Sequence, residues 1–220
     1  MKKLLFILAA AVLPLLFTSC EEQSGSGTLT LSITDAPIDG DNVTGVFITI
    51  NEIQVHTPDS GWMTMDGFEG SETFNLLDLT RGESSLLGSV ELEGGKYTQI
   101  RFMLDAPETG MPKPVSPGCY IEFTDGTTEP LFVPSGSQSG FKGVGSFTVP
   151  VNGTVEITAD FDVRKSVHKT GSASSRYILR PVIRLVVENQ AGAIRGNVTN
   201  IPENTDIVIY AYSDGTYKDE

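Results

Sequence analysis

The sequence predicts an all-β fold: an antiparallel β-sandwich of Greek-key type, about seven to nine strands with at most one short helix. Three observations carry that expectation. Beyond residue 27, apolar and polar residues alternate with a period of two, the pattern of strands that bury one face. The 23 Gly and 12 Pro fall between those runs without a repeat, which excludes collagen and suits a protein rich in turns. Hydrophobic residues are 39% of the 220, with 11 Phe and 6 Tyr, enough to build a core and too many for wholesale disorder.

The first nineteen residues stand outside that domain. Met1-Lys2-Lys3 is a basic start, and the apolar run from Leu4 to Phe17 has the length of a signal-peptide core, short of the roughly 20 residues that span a bilayer. It closes on Phe17-Thr18-Ser19-Cys20, which resembles a bacterial lipobox. Residues 1–19 thus read as a lipoprotein signal peptide, with Cys20 as the lipidated first residue of the mature chain. Palmitate-type acyl chains there pass the two-signal threshold for stable anchoring and make the membrane a partner. Residues 20–27 form a flexible acidic tether. Its Glu21-Glu22 resembles the surface-export signal of bacterial lipoproteins, which places the protein at the outer membrane, facing out of the cell. Loss of Lys2 and Lys3 leaves 13 basic and 28 acidic residues, a net of −15. Such a body has no general attraction to nucleic acid or anionic lipid.

Residues 28–190 read as the sandwich domain. Leu29, Leu31 and Ile33 alternate with Thr28, Thr30 and Ser32. The acidic loop Asp35–Asn42 then offers Asp35, Asp39 and Asp41 as oxygen ligands around Gly40, a candidate calcium site, set against solvated turn aspartates that cap backbone N–H groups. Val46, Ile48 and Ile50 alternate next, but Ile53 and Val55 take the opposite parity, so a bulge is expected near Asn51-Glu52. Ser84–Val90 is the single helical candidate. Ile100, Phe102 and Leu104 face inward with Gln99 and Arg101 outward. Residues 118–134 predict a hairpin whose paired numbers have an even sum and whose loop holds three or five residues, because Cys119, Ile121 and Phe123 must share a face with Leu131 and Val133. Cys119 is then a buried, inert thiol.

The most informative rows lie late in the domain. Val155, Ile157, Ala159, Phe161 and Val163 alternate with Glu156, Thr158, Asp160 and Asp162. Leu179, Ile183, Leu185 and Val187 alternate with Arg176, Arg180 and Arg184. Antiparallel pairing of 154–163 with 177–187 at an even sum near 340 sets Asp160 beside Arg180 and Glu156 beside Arg184. It leaves the loop 164–176 with Lys165, His168 and Lys169 to meet an anionic ligand. No nucleophile elbow, phosphate loop, dinucleotide motif or Cys-x-x-Cys pair occurs, and the 2 His lack a local catalytic arrangement. Asp160 and Asp162 face arginines and stay ionised rather than splitting into acid and base, so a hydrolase is disfavoured. From Ala191, Ile194–Val198 and Ile207–Tyr212 resemble the opening strands of a carboxypeptidase-regulatory, transthyretin-like unit, incomplete at residue 220.

Ile33-Thr34-Asp35-Ala36-Pro37, Tyr97-Thr98-Gln99-Ile100-Arg101, Asp160-Phe161-Asp162-Val163 with Lys165-Ser166-Val167, and Tyr177–Ile183 resemble, in that order, the domain of unknown function 4382. The resemblance covers about residues 28–188. It implies a secreted or lipid-anchored β-sandwich envelope protein, often followed by a transthyretin-like segment, with no assigned catalytic residue. Met103–Pro107 echoes the first Asp-Ala-Pro as a strand-exit turn. The expected function is a non-catalytic surface lipoprotein without a cofactor beyond the calcium candidate, binding or displaying a glycan or other extracellular ligand. The alternative is a fimbria-like subunit exchanging strands between protomers.

Overall fold

A computed structural model describes residues 25–35, 42–57, 61–134, 140–171, 176–190, 196–202, 207 and 209. Thirteen strands are found among them: β1 (Ser26–Asp35), β2 (Val43–Thr57), β3 (Gly61–Thr64), β4 (Glu72–Asn75), β5 (Ser85–Glu93), β6 (Gly95–Leu104), β7 (Tyr120–Phe123), β8 (Thr128–Phe132), β9 (Phe141–Val149), β10 (Thr154–Phe161), β11 (Val167–Lys169), β12 (Tyr177–Leu179) and β13 (Ile183–Val187). One α-helical turn, α1 (Val163–Ser166), joins β10 to β11.

All thirteen strands belong to one hydrogen-bonded network, ordered β11-β12-β8-β7-β2-β6-β9-β13-β10-β1-β5, with β3 and β4 also on β2. The β class and the single short helix match the expectation; the seven-to-nine-stranded antiparallel description does not. The sheet is mixed, because β1–β10, β8–β12 and β9–β13 run parallel. Period-2 patterning carries no sign of strand direction, so those three pairings left no trace in the sequence.

β2 bends the sheet. Phe47 lies opposite Asn75 of β4 and Tyr120 of β7, whereas Val55 lies opposite Met63 of β3 and Ile100 of β6. Ile50 pairs with both Glu72 and Leu104, so β7 and β6 lie end to end along one edge of β2, with β4 and β3 along the other. The expected bulge sits at the join, where register shifts between Ile50 and Glu52. Buried Thr49 fastens the join: its N–H points at Cys119 Sγ (3.5 Å), its carbonyl accepts from Asp105 N (2.9 Å), and its hydroxyl donates to the Gly118 carbonyl (2.6 Å). Phe102 of β6 and Phe161 of β10 lie three strand spacings apart, about 14 Å on a flat sheet. Their ring centroids are 5.4 Å apart, so the sheet curls and encloses the core on its concave face.

The hairpin holds as expected. β7 and β8 pair with numbers summing to 250, and Phe123 N–H bonds the Thr127 carbonyl (3.0 Å) around the three-residue loop Thr124–Gly126. Gly126 takes φ +79°, the left-handed position that such a loop requires. Cys119 and Leu131 are fully buried and Val133 with them. Ser84–Val90 is corrected from helix to strand: β5 pairs with β1, and its register shift near Gly88 explains why Leu86, Leu87 and Val90 mimicked helical spacing. β1 begins at Ser26, two residues inside the stretch read as tether. Residues 196–202 form no strand, while most of 207–212 lies outside the described residues.

β10 and β13 are antiparallel neighbours with an even register, but their numbers sum to 344, not 340. Asp160 therefore faces Arg184, and Phe161 faces Ile183. Residues 177–187 are not one strand. Arg180 N–H bonds the Ser166 carbonyl (2.7 Å) and Val182 N–H bonds Ser166 Oγ (2.9 Å), so the chain breaks at Arg180-Pro181. β12 then joins β8 and β11, and β13 joins β10 and β9.

Candidate functional site

Of the expected metal and anion residues, Asp35 and Lys165 lie where β1, β10 and α1 meet, and there they hold the fold together. Asp35 is buried, and its Oδ1 accepts from Val163 N–H at 3.0 Å, tying the end of β1 to the start of α1. Asp39 and Asp41 lie outside the described residues, and among those described no three His, Cys, Asp or Glu side chains are grouped to hold a metal. Asp162 caps α1: Oδ1 accepts from Lys165 N–H (3.1 Å) and Oδ2 pairs with Lys165 Nζ (2.6 Å). Burial pushes the Asp162 carboxyl up, but the Lys165 hydrogen bonds and the charges of Lys165 and Arg164 outweigh it and leave it below the usual range.

Lys165, His168 and Lys169 are exposed as expected, but the start of the segment 164–176 is the turn α1 and the strand β11 rather than a loop. Lys165 is paired with Asp162, and His168 and Lys169 sit on β11, opposite Ile178 and Tyr177. Lys169 Nζ lies 5.4 Å from the Tyr177 ring centroid. Arg184 bonds Asp160 at 2.7 Å, while Arg180 makes no ion pair among the described residues. Cys119 is buried as expected, and burial drives its thiol up to about 12 despite the Thr49 N–H beside it.

Two outward faces stand out among the described residues. The first is a groove of about 510 Å³ over β1 and β10. Thr30, Ser32, Thr34 and Thr158 line it with Glu156, and Ser84 and Glu188 close its sides. Parallel registry sets Thr30 beside Glu156 and Ser32 beside Thr158, so its floor is a hydroxyl and carboxylate grid with no aromatic surface. Thr34 is already committed, donating to the Leu79 and Glu83 carbonyls.

The second face lies across β3, β2, β6 and β9. Trp62, the chain's one tryptophan, stands on edge strand β3 opposite His56, whose ring meets the indole edge-on at 5.0 Å. Arg101 of β6 reaches over β2 to place its guanidinium 4.2 Å from the indole centroid, and Lys142 Nζ of β9 is 5.6 Å from it. The guanidinium is held by Gln54 Oε1, which accepts from Nε at 2.9 Å and from Nη2. Register aligns these groups: Thr64, Gln54, Arg101 and Lys142 are successive cross-strand partners. Glu52 rims the face, its carboxylate accepting from Thr64 Oγ1 and Gln54 Nε2, both at 2.6 Å. Those bonds, the Thr64 one first, and the Arg101 charge hold its carboxyl below the usual range.

Sequence reasoning did not find this face. Gln99 and Arg101 read as outward, but Arg101 on β6 and Lys142 on β9 lie far along the chain from the β2 and β3 residues they join. Only the solitary Trp at a strand edge was a local signal.

A family model described as domain of unknown function (DUF4382) matches residues 26–181. No curated protein and no solved structure matches the chain.

Proposed function

The chain belongs to the DUF4382 family, and from that premise we propose that it is a non-catalytic lipoprotein of the bacterial outer membrane, anchored through Cys20 and facing out of the cell as a ligand-binding module. The observation that carries the binding reading is the Trp62 face. A partly exposed large aromatic ring, with cations and a hydrogen-bonded polar rim brought to it from separate strands, has the makeup of a recognition surface. Its components are side chains already fixed in place by Gln54 and by cross-strand registry, which lowers the ordering cost of binding.

The anchoring reading rests on the lipobox-like residues before Cys20 and on the polar stretch that follows. Two measurements test it together. Cys20→Ser is expected to move the protein from the membrane fraction to the soluble fraction, and protease added to intact cells is expected to digest the wild type. A Cys20→Ser protein that stays in the membrane, or a wild type shielded from protease, contradicts the proposal.

A second reading, strand exchange in an assembly, is favoured by the exposed apolar residues Val198, Ile201, Ile207 and Ile209 after the domain. In this reading residues 191–220 open a transthyretin-like unit completed by a partner. Oligomerisation that rises with concentration and is lost on truncation after Gln190 supports it; a monomer at every concentration rejects it.

A further inference from the structure

We propose that the Trp62 face binds an acidic saccharide, the sugar ring stacking on the indole and its carboxylate meeting Lys142 on the β9 side. The inference rests on the binding-module reading and names the ligand class of that site. Three features select it. The Arg101 guanidinium covers one face of the partly exposed indole, and the part of the ring left open supplies an apolar surface for the C–H face of a pyranose, while the adjoining Gln54, Glu52 and Thr64 offer donors and acceptors to ring hydroxyls.

Charge then separates acidic from neutral sugars. The chain carries 28 acidic against 15 basic residues, yet exposed Lys142 makes no ion pair among the described residues and stands within reach of the ring. The Arg101 charge is already set against Glu52 and its guanidinium is held by Gln54, so Lys142 is the cation that meets the sugar carboxylate.

The test uses the fact that the chain has one Trp, so its emission reports this site alone. Detergent-solubilised mature protein is titrated with trigalacturonate and, separately, with its fully methyl-esterified form, which keeps the rings and removes the charge. The expected result is a saturable change in Trp62 emission with trigalacturonate, weakened by salt, and absent or far weaker with the ester. Lys142→Gln, a surface change that leaves the fold intact, is expected to weaken binding about fivefold, the scale of one exposed charge contact. Equal responses to acid and ester, or an unchanged affinity in Lys142→Gln, overturn the acidic class while leaving a saccharide-binding module standing. No response to either sugar, with the circular dichroism of a folded protein, overturns the site itself.

Discussion

Asp162 shows how much one carboxylate can carry. It ends the β10 alternation, caps α1 through Lys165 N–H and pairs with Lys165 Nζ. Asp162→Ala is expected to cost about 1 kcal/mol, the usual loss at an N-cap, and to lower Tm by roughly 2–4 °C in a domain of this size. Asp162→Asn keeps the cap and is expected to cost less. The pH dependence has a definite sign. The folded carboxyls of Asp162 and Glu52 lie below their usual values, so their stabilisation is full above about pH 4 and is lost as pH falls through the folded values. Acid melts of the wild type should therefore fall more steeply than those of Asp162→Ala, and parallel curves would remove Asp162 from the account. Cys119 gives a second residue-scale prediction. In a Cys20→Ser background it is the one thiol left, and at neutral pH it should resist a thiol reagent until the protein is unfolded. At this scale parity was legible, since an alternating strand states which side chains are buried. Commitments were not. Lys165 reads as a free surface cation in sequence, and only the turn of α1 brings it back onto Asp162.

The β10–β13 pair shows what an alternating pattern can and cannot specify. An even register keeps every apolar side chain on the core face, and any slip of two or four residues keeps it too. The charges alone could not choose between 340 and 344, because arginines recur at 176, 180 and 184. The choice is made by the break at Arg180-Pro181, where Ser166 captures the backbone on both sides of the proline. A double-mutant cycle on Asp160 and Arg184 should give a coupling of about 0.2–1 kcal/mol, whereas Asp160 with Arg180 should give none. Coupling to Arg180 would restore the earlier register. The β5 element makes a stronger prediction. A side chain at Gly67 would run into the Ser89 carbonyl, and one at Gly88 into the Gly67 carbonyl. Gly67→Ala is thus expected to destabilise by about 1–3 kcal/mol, the range of overpacking, as read by urea midpoint. An unchanged midpoint would show that the 65–70 segment does not rest on β5.

Across the whole molecule, β2 decides the shape by carrying β4 and β7 on its first half and β3 and β6 on its second. Its parity switch was visible in the sequence, so the bend was legible. The parallel entry of β10 beside β1 was not, because the two are joined only through more than a hundred intervening residues. In the lipid-anchored reading, that pairing also sets the protein's orientation on its anchor. Ser26 and Gly25 are tied to the turns at Asn152 (2.8 Å) and Gly94 (2.7 Å), so those turns lie at the tether end. Between Cys20 and Ser26 stand five residues, which reach about 20 Å at full extension. α1 lies at the opposite end of β1, about 30 Å along ten strand residues. The lipid-anchored reading therefore places the Gly94 and Asn152 turns toward the membrane and α1 away from it. Everything in that arrangement depends on Cys20 being the mature N-terminus. Mass spectrometry of the N-terminal peptide from membranes is the most direct test: the account predicts a peptide that begins at Cys20 with a thioether-linked diacylglycerol, and a chain that retains residues 1–19 with an unmodified Cys20 thiol would contradict it.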